Sequence, residues 1–196
     1  MLAPNVTSPL LAVPSMDVDR ERIESAMHEA VVTPDAYLNE IASHLIVAGG
    51  KRLRPVLAVV GAQVLGAPAS HDVVRGGVSC ELVHLGSLYH DDVMDEADTR
   101  RGVETVNAKW GNLQAILAGD FLLSRASEIA ASLGTEVAGL LAQTIGWLCE
   151  GQIEELRHTY DTSRAEASYL ASIHGKTASL YGTAARIGGL AAGHDR

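Results

Sequence analysis

The chain has 196 residues, of which 47% are hydrophobic, 20% charged and only 4% aromatic, and its formal net charge is -9. That length suffices for one domain with its own core. The acidity argues against nucleic acid as a partner, because affinity for it rests on Lys and Arg neutralising phosphates.

Residues 1–16 are uncharged and contain Pro4, Pro9 and Pro14. They lack the basic start of a secretory signal and the arginines of a transit peptide. No apolar run approaches the roughly 18 residues that a membrane span needs. A flexible N-terminal arm over 1–16, one all-α domain over 17–196 and a cytoplasmic protein are the expectations. Asp17 is placed to cap a first helix reaching about Val32, with Glu21 and Glu24 near its positive end. Thr33-Pro34 reads as a cap followed by proline, opening a helix whose stripe is Tyr37, Ile41, Leu45 and Ile46. Gly49-Gly50 stops it, and Pro55 sits near the start of a helix over Val56 to Leu65.

Ser70 or Asp72 can cap a long helix whose apolar positions Val74, Val78, Leu82, Leu85 and Leu88 recur at helical spacing. A loop from Thr99 to Glu104 follows, then a short piece from Val106 to Trp110. A helix from Leu113 to Ala131 comes next, and Thr135 can cap another that runs to about His158. Helical character resumes from Ala165 to Ala192. No β-alternation, hairpin turn or internal repeat is legible, so the fold class is all-α, an antiparallel helical bundle. Cys80 and Cys149 fall inside apolar helical patterns and read as buried free thiols. The eight histidines form no His-x-x-x-His pair that would suggest zinc.

The long helix ends in His90-Asp91-Asp92-Val93-Met94-Asp95, with Arg100-Arg101 just beyond. Residues four apart share a helix face, so Asp91 and Asp95 project together and Asp92 flanks them. A hard cation such as Mg²⁺, which takes carboxylates and substrate phosphates as ligands, would explain the cluster. Arg100 and Arg101 would then clamp phosphate, since a guanidinium matches its oxygens in a fork. A solvated acidic helix end is the alternative. Upstream, Gly49-Gly50-Lys51-Arg52-Leu53-Arg54-Pro55 gathers cations at a helix start, where N–H groups and the dipole also favour a phosphate. A helix stop followed by a solvated basic start fits the same residues. Lys176-Thr177 is a cation and a hydroxyl in an otherwise small and apolar helix, which a snorkelling lysine would also explain.

Taken in order, GGKRLRP at 49–55, LVHLGSLYHDDVMD at 82–95, RRG at 100–102, GDFLLSRA at 119–126, GQ at 151–152 and KT at 176–177 resemble the trans-polyprenyl diphosphate synthases. The similarity is closest to the bacterial geranylgeranyl and longer-chain members. It implies an isoprenoid-synthase bundle that condenses isopentenyl diphosphate with an allylic diphosphate, dependent on Mg²⁺. Lys51, Arg54, His84 and Arg101 would hold the isopentenyl diphosphate. Asp91 and Asp95 would bind metal, supported by Asp92. Arg100, Lys176 and Thr177 would hold the allylic diphosphate, with Gln152 near its reacting end. Gly86 and Ser87, about one turn before Asp91, would line the path of the growing chain, and their small size implies a geranylgeranyl or longer product.

The family's second aspartate-rich motif has no counterpart here, and Asp195 stands alone near the end. The chain is therefore expected to be the N-terminal part of a synthase domain, with weak or no turnover by itself. A non-catalytic subunit paired with a full-length synthase and an inactive fragment are the other readings. A homodimer or heterodimer is expected, and contact with a membrane only through the lipid product. A class I terpene cyclase shares the first acidic motif, but GGKRLRP and Arg100-Arg101 favour a site for two diphosphates.

Overall fold

The computed structural model describes residues 13–194. Most of the arm expected over 1–16, and Asp195, lie outside them. Helices α1 (Met16–Ala30), α2 (Ala36–Val47), α3 (Leu53–Val64) and α4 (His71–Met94) lead into a ribbon of β1 (Thr99–Arg100) and β2 (Val103–Glu104). Then come α5 (Val106–Trp110), α6 (Asn112–Ser132), α7 (Thr135–Arg157), α8 (Glu166–Ile173), one π-helical turn (His174–Ala178) and α9 (Ser179–Ala191).

The bundle is built round α4, which packs against α1, α3, α6 and α9. Leu82, Val83 and Leu85 are fully buried, and so are the small residues Gly76, Gly77 and Ser79 that let neighbours approach. Each large apolar side chain so buried contributes about 1.5–3 kcal/mol. A helix buried on nearly every side shows little amphipathic contrast. Among the described residues, no helix is long and apolar enough to cross a membrane.

Local chemistry set several boundaries differently from expectation. The first helix starts at Met16 with Ser15 at the cap position, so Asp17 lies inside the first turn. Asp35, not Thr33, caps α2: its carboxylate accepts from the Tyr37 and Leu38 amides. Gly134, at φ 113°, precedes α7, which makes Thr135 its first residue. Ser70 caps α4 by accepting from the Val73 amide at 3.2 Å. Cys80 is buried and its thiol is pushed up to about 12 by desolvation, whereas Cys149 is exposed, contrary to expectation. Its position on α7 faces away from the packed side, where Leu140, Leu141 and Thr144 are buried.

The loop after α4 is a hairpin after all. Thr99 pairs with Glu104 and Arg100 with Val103, and Arg101 and Gly102 turn the chain with φ of 54° and 79°. Positive φ at both central residues marks the turn that matches strand twist. Strands of two residues leave no alternation to read, and arginine is a rare occupant of that conformation.

Candidate functional site

Two cavities open side by side at the C-terminal end of α4. The first, of about 460 Å³, is lined by Gly49, Lys51, Arg54, Glu81, His84, Arg101 and Tyr181, among others. The second, of about 570 Å³, includes Ser87, Leu88, Asp91, Gln152, Lys176 and Thr177 in its wall. Arg54, His84 and Tyr181 border both.

The first cavity is basic because the turn between α2 and α3 folds its cations inward. Arg52, in the left-handed conformation at φ 49°, is buried and serves the fold. Its guanidinium donates to both Glu24 oxygens, at 2.8 and 3.1 Å, and to the Ile46 carbonyl at 2.9 Å. Lys51 stays exposed at the rim. Arg101 Nη1 reaches back from the hairpin to the carbonyls of Leu45, at 3.0 Å, and Gly49. Those bonds tie the hairpin to the end of α2, as does His44 Nε2, which donates to the Glu104 carbonyl at 2.7 Å.

Beneath these cations lies Glu81, with its oxygens 3.7 Å from Arg52 Nη1 and 3.9 Å from Arg54 Nη1. Burial pushes its carboxyl up, against the pull of Arg54, Arg52 and Arg101. Glu81 sits mid-helix in an apolar run, where nothing in the sequence marks it. His84, one turn further along α4, is held down to about 3, first by burial and then by the nearby arginines. It is a neutral imidazole at neutral pH, offering one N–H donor and no charge.

In the second cavity Asp91 is half-buried, while Asp95 is exposed at the C-cap position of α4. Burial, with Asp95 and Asp92 adding to it, pushes the Asp91 carboxyl up, against the pull of Lys176 and Arg100. Asp92 points elsewhere. It is 1% exposed, and its Oδ1 accepts from Arg100 Nε at 2.6 Å. Arg100 is thus committed in part to holding Asp92, although it was expected to serve a phosphate alone.

Lys176 and Thr177 do not sit on a regular helix as their surroundings suggested. They occupy the π-helical turn between α8 and α9, a distortion that recurs at functional sites. Its seat is Gly151 on α7, where a side chain would press on the Ser172 carbonyl at 2.7 Å. Lys176 Nζ donates to Glu155 at 2.6 Å, a partner unforeseen from sequence. Gln152 Oε1 is buried without a hydrogen-bond partner.

Of the two positions expected to meet a growing chain, Ser87 lines the second cavity and Gly86 does not. Gly86 faces α6, where a side chain would meet the Gly119 carbonyl at 2.9 Å. The 100° step of the helix carries adjacent residues to different neighbours. Tyr89 also points away, its hydroxyl donating to the Ile41 carbonyl at 2.7 Å.

Among the described residues, no group of three or more His, Cys, Asp or Glu could hold a metal alone. Asp91 and Asp95 offer an incomplete all-oxygen set, with the cations of Lys176 and Arg100 near Asp91. That suits Mg²⁺, which keeps waters and takes phosphate oxygens alongside one or two carboxylates, and does not suit Zn²⁺.

Comparison with known proteins gives the chain's relatives. The family profile described as Polyprenyl synthetase matches residues 35–196. Nonaprenyl diphosphate synthase of Mycobacterium tuberculosis is 43% identical over 172 residues, which cover 88% of this chain and 51% of that protein. Heptaprenyl diphosphate synthase component 2 of Geobacillus stearothermophilus is 40% identical over 179 residues, covering 89% of this chain and 55% of that one. A polyprenyl synthase from Caulobacter crescentus, solved with calcium and isoprenyl diphosphate, superposes with a TM-score of 0.88 at 32% identity. That match covers 95% of this chain and 56% of the other. The chain thus spans about half the length of the curated relatives it matches.

Proposed function

The chain belongs to the polyprenyl synthetase family, and we propose that it takes part in Mg²⁺-dependent head-to-tail condensation of isopentenyl diphosphate with an allylic diphosphate. The product is a geranylgeranyl or longer polyprenyl diphosphate. One observation carries the reading: a basic cavity and a carboxylate-lined cavity share a wall of Arg54, His84 and Tyr181. Two anionic substrates can therefore meet across that wall.

Isopentenyl diphosphate would enter the first cavity, with Lys51, Arg54 and Arg101 supplying charge and His84 one neutral donor. The allylic diphosphate would lie in the second, between Asp91 and Asp95 on one side and Lys176, Thr177 and Arg100 on the other. Asp91 and Asp95 would hold Mg²⁺, which supplies Lewis-acid stabilisation of the leaving diphosphate. Lys176 and Arg100 would add fixed positive charge at that group. Gln152, with its unpartnered oxygen, would face the carbon that develops positive charge. Leu88, Leu148 and Leu156 give the cavity an apolar lining, which keeps water from an electron-poor carbon. The diphosphate that leaves would accept the proton lost when the new double bond forms.

Turnover by these 196 residues alone is expected to be weak, because their metal site has one carboxylate wall. A second reading, a subunit working with another synthase chain, is favoured by the similarity to a protein named as component 2. An apolar strip on α6, where Leu113 is 74% and Leu117 67% exposed, would support pairing with either a copy or another chain. Action in the cytoplasm, with membrane contact only through the product, belongs to the same proposal.

The test is incubation of the purified chain with Mg²⁺, labelled isopentenyl diphosphate and farnesyl diphosphate, followed by sizing of extracted products. Product that disappears in Asp91→Ala supports the assignment. Product that persists in Asp91→Ala contradicts it. If the chain alone gives none, adding a full-length synthase carrying its own inactivating substitution separates the subunit reading, which expects restored product.

A further inference from the structure

Arg54 lies against a residue that neither the motifs nor the family resemblance singled out. Its guanidinium carbon stands 4.6 Å from the centre of the Tyr181 ring on α9. The arginine side chain is 8% exposed, and its Nε is buried with no hydrogen-bond partner. On the other side, Glu81 Oε2 lies 3.9 Å from Nη1 and is likewise buried without a hydrogen-bond partner. An arginine this enclosed ordinarily closes onto a carboxylate in a bidentate pair at about 2.8 Å. Here that pair is left open.

We propose that Tyr181 is a positioning residue: its ring stacks on Arg54, keeps the guanidinium from closing onto Glu81, and holds it at the partition between the two cavities. Tyr181 and Arg54 border both cavities, and Glu81 lines only the first. The aromatic face attracts the cation without using its N–H groups, which stay available to phosphate oxygens. Glu81 supplies the counter-charge that makes a buried cation tolerable when no diphosphate is present. With the ring gone, Arg54 falls onto Glu81 and is lost to the incoming anion. The inference rests on assigning isopentenyl diphosphate to the first cavity.

The experiment is calorimetric titration of the full chain with isopentenyl diphosphate in the absence of Mg²⁺. Tyr181→Phe keeps the ring and is expected to bind within about twofold of the unaltered protein, while Tyr181→Leu binds about five- to tenfold more weakly. In a Glu81→Gln background no carboxylate remains to capture Arg54, so the Leu substitution is expected to cost less than about twofold. A purely structural role for Tyr181 would show the same loss in both backgrounds. Where thermal melts show that Leu lowers the folded fraction, Tyr181→Met replaces it. Equal affinity for Leu and Tyr, or an equal loss with Phe and Leu, overturns the inference while leaving the cavity assignment intact. No binding by the unaltered chain overturns the assignment and the inference with it.

Discussion

Asp92 and Arg100 are joined by a 2.6 Å bond between Oδ1 and Nε, with the carboxylate sealed from solvent. Of the three aspartates in the motif, this one is therefore built into the scaffold, while Asp91 lines the second cavity and Asp95 is exposed at the end of α4. Removing one partner of such a pair leaves a buried polar group unsatisfied, at a cost of about 1–3 kcal/mol. Asp92→Ala, which takes the acceptor from Arg100 Nε, is expected to lower the unfolding free energy by that margin, with the midpoint of urea unfolding falling accordingly. Burial pushes both carboxyls up, but only at Asp92 does an Arg100 hydrogen bond oppose it, so Asp91→Ala should leave the midpoint unchanged or raised while abolishing Mg²⁺-dependent binding. Similar unfolding midpoints for the two variants would contradict this division.

The seat of the π-helical turn gives a second prediction. Gly151→Ala places a methyl group against the Ser172 carbonyl and the backbone beside Lys176. Overpacking at a rigid contact costs about 1–3 kcal/mol. Because the displaced segment carries Lys176 and Thr177, affinity for an allylic diphosphate should fall as well. Binding by calorimetry and stability by thermal melt should therefore decline together in this variant.

Neighbouring positions on α4 should separate chain length from stability. Ser87→Phe adds bulk inside the second cavity and is expected to weaken binding of geranylgeranyl diphosphate at least about tenfold while sparing geranyl diphosphate. Gly86→Ala instead meets the Gly119 carbonyl at 2.9 Å and is expected to lower stability without changing that preference. A shift in preference with Gly86→Ala, or none with Ser87→Phe, would reverse the placement.

His84 makes a signed contribution to pH dependence. Its folded-state value is near 3, below the ordinary 6.5, so the unfolded chain binds its proton first. The stability it contributes is full above pH 6.5 and is lost as pH falls towards 3. Glu81 and Asp91 are shifted up, so what they contribute runs the other way, being full at low pH and lost as pH rises through their raised values. His84→Gln should therefore lose less stability than the unaltered protein between pH 6.5 and 4. Parallel curves in urea unfolding would show that the imidazole is not held neutral.

Much of this layout was legible because the chemistry is written locally. Asp91 and Asp95 stand one turn apart, Gly49-Gly50 breaks the chain before Lys51, and Val106–Trp110 is bounded by Thr105 and Gly111. What escaped depends on contacts between distant segments. The π-helical turn exists because Gly151, more than twenty residues earlier, admits it. Glu81 is silent in sequence because only the arriving side chains of Arg52 and Arg54 explain a carboxylate in an apolar helix. Tyr181 gains its meaning from Arg54, across the contact of α3 with α9. Gly86 was misplaced because one helical step decides between a cavity and a packed neighbour.

The central claim is that two diphosphate sites of different chemistry meet at Arg54, and paired calorimetric titrations test it most directly. Isopentenyl diphosphate should bind with or without Mg²⁺ and should be insensitive to Asp91→Ala, since the first cavity relies on fixed cations. Farnesyl diphosphate should bind only with Mg²⁺ and lose that binding in Asp91→Ala. If both ligands respond to Mg²⁺ and Asp91 alike, or neither does, there is one anion site and the division at Arg54 is wrong.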